Sequence, residues 1–193
     1  MSNGTTTSIL MVGVGGQGII RASDILSFVL MEAGFDVKKS EVHGMAQRGG
    51  CVSSDIRYGE KVYSPLSKKG DVDILMSFEK METLRYLNYL KPEGVVVIND
   101  EKVYPPSVAL GDEPYPDDIE GVVEKAFKMV KIVKATEMAV EAGDRRMANT
   151  VMLGVLSSYM AVDSAVWEAI LNDTFPKKLL KKNMVAFHMG RSA

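Results

Sequence analysis

The run Ile9–Leu10–Met11–Val12, continuing into Gly13–Val14–Gly15–Gly16–Gln17–Gly18, constrains the fold more than any other stretch of the chain. Four apolar residues in a row read as a buried strand, and Gly13, Gly15 and Gly18 fall at the G-x-G-x-x-G spacing of dinucleotide-binding turns. The spacing predicts a helix from Gln17 to Ala33, with Ile19, Ala22, Leu26, Val29 and Leu30 near helical period on one face. Strand, glycine turn and helix in this order open a doubly wound α/β sheet. In such a turn Gly13 permits the tight bend, Gly15 and Gly16 let backbone N–H groups approach an anion, and Gly18 lets helix and sheet pack closely. The helix N-terminus carries unpaired N–H groups and partial positive charge, which suits phosphate or carboxylate. A dinucleotide site also expects an acidic residue ~20 positions on to hold a ribose. Only Asp36 and Glu41 are candidates, and Asp36 begins the next expected strand rather than ending it. Glycines at a strand-to-helix turn can equally serve packing alone.

The rest of the chain alternates in the same way. Val37–Val42 is expected to be a short strand, followed by a loop from His43 to Gly50. Cys51–Tyr58 and Lys61–Tyr63 flank Gly59–Glu60 and suggest a small antiparallel hairpin. Asp73–Phe78 and Val95–Asn99 are buried-strand runs separated by a helical pattern over Glu79–Leu90. Val122–Met129, Val130–Ala135 and Glu137–Glu141 continue as helix, strand and helix, the last ended by Gly143. From Arg146 onward the pattern is helical, so the last ~50 residues are expected to cap the sheet. The expectation is a single α/β domain over 1–193, doubly wound and mostly parallel, with 1–7 as a flexible polar tail.

Charge and cysteine content limit the function classes. A formal net charge of −2 gives no electrostatic case for nucleic acid or a membrane surface. No run approaches ~18 apolar residues, and no signal-peptide pattern opens the chain, so a cytoplasmic protein is expected. The single cysteine, Cys51, excludes an intramolecular disulfide and cannot supply the thiolates of an iron–sulfur cluster or structural zinc site. With two histidines, His43 and His188, and no cluster of metal-ligand residues, no metal is expected on this chain. No serine lies in a G-x-S-x-G elbow.

The loop Glu41, His43, Gly44, Met45, Ala46, Gln47, Arg48, Gly49, Gly50 follows a strand end beside the glycine turn, the edge where open α/β sheets bind ligands. His43 and Arg48 either point into a shared site, or are a solvated loop residue and a surface partner of Glu41. Cys51 reads as a buried inert thiol at a strand start or as a reactive one, the first being the commoner case. Lys177, Lys178, Lys181 and Lys182 form a solvated helix face or meet an acidic partner. The 13 methionines fill core, and some suit a contact surface. Asn149 opens a helix and reads as a cap or buried hydrogen-bonding group.

GVGGQGIIRAS at Gly13–Ser23, EVHGMAQRGG at Glu41–Gly50, Asn149–Thr150–Val151–Met152–Leu153–Gly154 and the late Lys181–Lys182–Asn183 with Ala186–Phe187 resemble the gamma-type domain of 2-oxoacid:ferredoxin oxidoreductases. The likeness runs from about Ser8 to Arg191. HGMAQRGG is its most discriminating part and resembles the indolepyruvate ferredoxin oxidoreductase branch. The resemblance implies an accessory subunit in oxidative decarboxylation of indolepyruvate and other arylpyruvates to aryl-acyl-CoA, with electrons passed to ferredoxin. It implies thiamine diphosphate, magnesium and iron–sulfur clusters on a larger alpha subunit, and CoA as co-substrate. It also implies Gly13, Gly15, Gly16, Gln17, Gly18 and the Glu41–Gly50 loop as contact surfaces for CoA, substrate or that subunit, with no catalytic residue in the isolated chain. Two alternatives stand beside it: a stand-alone NAD(P)- or flavin-dependent oxidoreductase, and a non-catalytic assembly protein.

Overall fold

The computed structural model describes residues 6–44 and 50–193. Its centre is a six-stranded sheet in the order β2-β3-β1-β4-β5-β6. The strands are β1 (Thr7–Val14), β2 (Asp36–His43), β3 (Cys51–Gly59), β4 (Val72–Ser77), β5 (Leu90–Asn99) and β6 (Met129–Val133). β1, β4, β5 and β6 run parallel, whereas β3 is antiparallel to both β1 and β2. The helices are α1 (Ile19–Glu32), α2 (Lys80–Tyr86), α3 (Pro106–Ala109), α4 (Ile119–Ala126), α5 (Ala135–Ala142), α6 (Ala148–Ser157), α7 (Ser164–Thr174) and α8 (Lys177–Arg191).

Alternation along the strands divides two cores. On one face Ile9, Met11, Ile74, Met76 and Val97 meet α1 and α5 to α8. On the other, Leu10, Val12, Leu75, Val96 and Ile98 meet α2 and α4. Strands buried on both faces need the continuous apolar runs seen in the sequence. α1 buries the predicted stripe of Ile19, Ala22, Leu26, Val29 and Leu30. The C-terminal helices do cap one face. α6 is buried over Asn149–Ser157 and crosses α8 at two glycines, where a Cβ on Gly154 would strike the Phe187 carbonyl and one on Gly190 the Val151 carbonyl.

Several boundaries differ from expectation. The antiparallel hairpin is made by β2 and β3, not by Cys51–Tyr58 with Lys61–Tyr63. β3 finds eight-residue registers on both sides, and the N–H of Val62 goes to the Asp36 carboxylate at 2.9 Å instead of to a strand. Thr7 pairs with Tyr58 in β1 rather than belonging to a tail, and residues 1–5 lie outside the described residues. The helix expected to reach Leu90 ends at Tyr86 and tightens into a 3-10 turn over Leu87–Tyr89; Leu90, buried against Leu10 and Leu75, opens β5.

The chain leaves β1 leftward through α1 to β2 and returns rightward to β4, so the connections reverse between β1 and β4. The carboxyl ends of these strands, Val14 and Ser77, flank the crevice where open sheets bind ligands.

Candidate functional site

The glycine turn is held by a glutamine. The side chain of Gln17 accepts from Val14 N–H at 2.8 Å and donates to the Phe78 carbonyl at 2.9 Å, bridging the ends of β1 and β4. A Cβ on Gly13 would lie 2.7 Å from Gln17 Oε1 and 2.9 Å from the Phe78 Cβ. Gly13 therefore makes room for this bridge, and the bend falls to Gly16, whose φ is 103°. Gly15 N–H donates to the Gly50 carbonyl at 2.8 Å, so that amide secures the loop and is unavailable to an anion.

Gly18 is the N-cap of α1, with φ 79° and no side-chain cap. A Cβ there would lie 2.7 Å from Asn149 Nδ2. Asn149, buried on α6, donates to the Gly18 carbonyl at 3.4 Å and so docks α6 on the turn; it follows the first helical residue and is not the cap. The first amides of α1, at Ile19, Ile20 and Arg21, have no intrahelical acceptor and meet none among the described residues. Arg21 turns its guanidinium away, to the Thr174 carbonyl at 2.9 Å and over the Phe175 ring.

Two clefts open on either side of this turn. The first, about 470 Å³, is lined by Gly15, Gly16, Gly18, Ile19, Ile20, His43, Gly44 and Val52. The structure thus brings the glycine turn together with the start of the predicted loop. His43 ends β2 in an exposed position, and Gly44 N–H closes the hairpin on the Cys51 carbonyl at 3.1 Å. Glu41 is held by Lys39 at 2.5 Å, and Lys39 also pairs with Asp24. Met45, Ala46, Gln47, Arg48 and Gly49 lie outside the described residues. Neither ribose candidate is available: Glu41 is paired, and Asp36 pairs with Lys38 and accepts from Val62 N–H.

The second cleft, about 520 Å³, shares Gly15 to Gly18 and reaches Phe78, Asn99, Glu101, Val103, Thr136, Arg145, Arg146 and Ala148. Asn99, fully buried at the end of β5, accepts from Ala135 N–H at 3.0 Å and donates to the Phe78 carbonyl at 3.3 Å and to Thr136 at 3.2 Å. Glu101 is bound by Thr136 and Arg145. The outermost cation, Arg146, pairs with Asp144 and holds that carboxyl at about 2. Sequence reasoning missed this wall; its one visible signal was a run of polar residues, Asn99–Asp100–Glu101, at the carboxyl end of the VVVIN strand.

Behind β1 and β4 lies a buried acidic cluster. Glu79 accepts from Glu82 N–H, Val103 N–H and the Tyr115 hydroxyl, fastening the segment after β5. Cys51 Sγ lies 3.3 Å from the Tyr86 hydroxyl. Burial, then its contacts with Glu82, pushes the thiol up, and the Tyr86 hydroxyl is pushed up to about 12 by burial and Cys51. A raised thiol is a poor nucleophile, which favours the inert reading of Cys51. Among the described residues no group of three or more His, Cys, Asp or Glu side chains is arranged to hold a metal ion.

The sequence matches the family described as Pyruvate ferredoxin/flavodoxin oxidoreductase over residues 8–193. Indolepyruvate oxidoreductase subunit IorB of Thermococcus kodakarensis is 37% identical over 191 residues, covering 96% of this chain and 95% of that protein. Among solved structures, the gamma subunit of a keto/oxoacid ferredoxin oxidoreductase from Geobacter sulfurreducens superposes with a TM-score of 0.72 at 22% identity, over 96% of each chain. The 2-oxoglutarate:ferredoxin oxidoreductase of Magnetococcus marinus superposes with a TM-score of 0.76 at 22% identity, over 97% of this chain but only 30% of that longer one. The chain therefore belongs to the pyruvate ferredoxin/flavodoxin oxidoreductase family, as a relative of its indolepyruvate oxidoreductase subunits.

Proposed function

We propose that this chain is the accessory subunit of a heteromeric indolepyruvate ferredoxin oxidoreductase, acting as one gamma-type domain in a reducing cytoplasm. The reaction is oxidative decarboxylation of an arylpyruvate to an aryl-acyl-CoA, with the electrons passed to ferredoxin. The observation that carries the reading is the near full-length likeness to IorB subunits, which spans the glycine turn and the His43 loop alike. One cysteine in the whole sequence cannot by itself hold an iron–sulfur cluster, which fits clusters carried by a larger partner subunit, and in this reading thiamine diphosphate and magnesium belong there too.

What this chain contributes is a shaped, partly anion-seeking edge. The free amides at the start of α1 can donate to one phosphate of CoA, and the apolar walls of the first cleft, Ile19, Ile20 and Val52, suit an extended organic chain. Gly15 N–H is occupied by Gly50, so the phosphate contact falls on Gly16, Gly18 and the first helical turn. Paired Asp36 and Glu41 argue against a ribose clamp and thus against a stand-alone NAD(P) enzyme. His43, exposed at the rim, faces the same cleft and is placed to meet substrate, CoA or the partner.

Purification from native cells tests this reading. The chain should co-elute with a larger, brown, thiamine-containing polypeptide, and should be colourless when produced alone. A chain recovered alone with a bound nucleotide would overturn it.

A further inference from the structure

The outer face of α1 is unusual for a surface helix. At 100° per residue, Ile20, Met31, Asp24, Phe28, Arg21 and Glu32 fall in that order within an arc of about 120°, opposite the buried stripe. Three of the six are large and apolar, and Ile20, Phe28 and Met31 are 38%, 49% and 58% exposed. Aromatic residues and methionine in such settings are the composition of interface cores rather than of free surface. Between this face and α7 runs a groove of about 590 Å³, lined by Arg21, Phe28, Met31, Glu32, Ile170 and Asp173 with Thr174.

The groove carries two carboxylates to one cation. Glu32 is the last residue of α1 and Asp173 the last but one of α7, and neither helix carries a basic residue in its last turn. Each carboxylate therefore adds negative charge where the peptide dipoles already place it. No cation pairs with either among the described residues; Arg21, the one cation of the groove, is committed to the Thr174 carbonyl and the Phe175 ring. By contrast Asp24, on the same face, has its lysine in Lys39. The groove thus has an apolar floor and, along its rim, two carboxylates without an ion-pair partner among the described residues against the one arginine, an excess of negative charge. Ile20, at the N-terminal end of the face, also lines the cleft beside the glycine turn, so the apolar surface is continuous with the candidate site.

We propose that this groove docks a cationic amphipathic segment of the larger subunit, with an apolar side chain between Phe28, Met31 and Ile170 and a lysine or arginine against Glu32 and Asp173. This rests on the accessory-subunit reading. A segment seated here would also hold the partner against Ile20 and the mouth of the first cleft, coupling assembly to completion of the site.

The test is binding of the co-produced larger subunit, measured by titration calorimetry at two salt concentrations, for the wild-type chain and two exposed-site variants, Phe28→Ser/Met31→Ser and Glu32→Lys/Asp173→Lys. Both variants alter exposed positions, and thermal unfolding checks that each remains folded. Each should weaken binding tenfold or more, and the charge-reversed variant should also lose salt dependence that the wild type shows. Wild-type binding with both variants equally tight would overturn the groove proposal and leave the subunit reading standing. No wild-type binding would overturn both. A wild-type chain that dimerises alone and becomes monomeric in Phe28→Ser/Met31→Ser would assign the groove to a second copy and overturn the proposal.

Discussion

Gly18→Ala probes how the glycine turn is built. Two independent costs meet at this position. The φ of 79° is left-handed, which costs a residue with a Cβ about 1–2 kcal/mol. The new Cβ would also lie 2.7 Å from Asn149 Nδ2 and 3.2 Å from Asn149 Cγ, so the buried amide must swing away and give up its bond to the Gly18 carbonyl. Losing a hydrogen bond of that kind costs about 1 kcal/mol. The sum is about 2–3 kcal/mol, or a fall in Tm of roughly 4–12 °C for a domain of this size. Asn149→Ala removes the obstruction, so in that background Gly18→Ala should cost only the backbone part. Urea unfolding of the wild type, both single variants and the double variant closes the cycle, with an expected coupling near 1 kcal/mol. Additive effects within about 0.3 kcal/mol, or a Gly18→Ala chain as stable as the wild type, would refute this picture of helix docking.

Three further outcomes follow from neighbouring groups. Gln17→Ala strands the Val14 N–H and leaves the Phe78 carbonyl with Asn99 as its remaining donor, and should lower stability by about 1–2 kcal/mol, read by urea unfolding. Burial holds the Glu82 carboxyl above its ordinary 4.5, so its contribution favours the fold below that value and is lost as pH rises through the raised one. Glu82→Gln, neutral throughout, should therefore raise Tm relative to wild type more at pH 8 than at pH 4; an equal shift at both would contradict the sign. His43→Ala should lower coupled turnover of the assembled enzyme severalfold while moving Tm by less than about 2 °C, because the side chain is exposed.

The strands were legible because burial on both faces leaves an unbroken apolar run, as in ILM at β4 and VVVI at β5. The meeting of the glycine turn with the His43 loop was legible too, since both follow strand ends at one edge of the sheet. Pairing partners were not. Gly59–Glu60 looks like a local turn, yet β3 satisfies its ladder with β1 and β2, and no nearby residue signals that choice. Glycine roles were likewise hidden. Gly13 is small because Gln17 and Phe78 occupy its space, and Gly18 because of Asn149, 131 positions away. The wall formed by Asn99, Glu101, Thr136 and Arg145 gathers from three elements, so no spacing announces it.

The most direct test of the accessory role is reconstitution: ferredoxin reduction with indolepyruvate and CoA, measured for this chain alone, for the larger subunit alone and for the two recombined. Turnover should appear only on recombination and rise to saturation at a fixed ratio of the two chains. Full turnover by the larger subunit without this chain, or any turnover by this chain alone, would contradict the assignment.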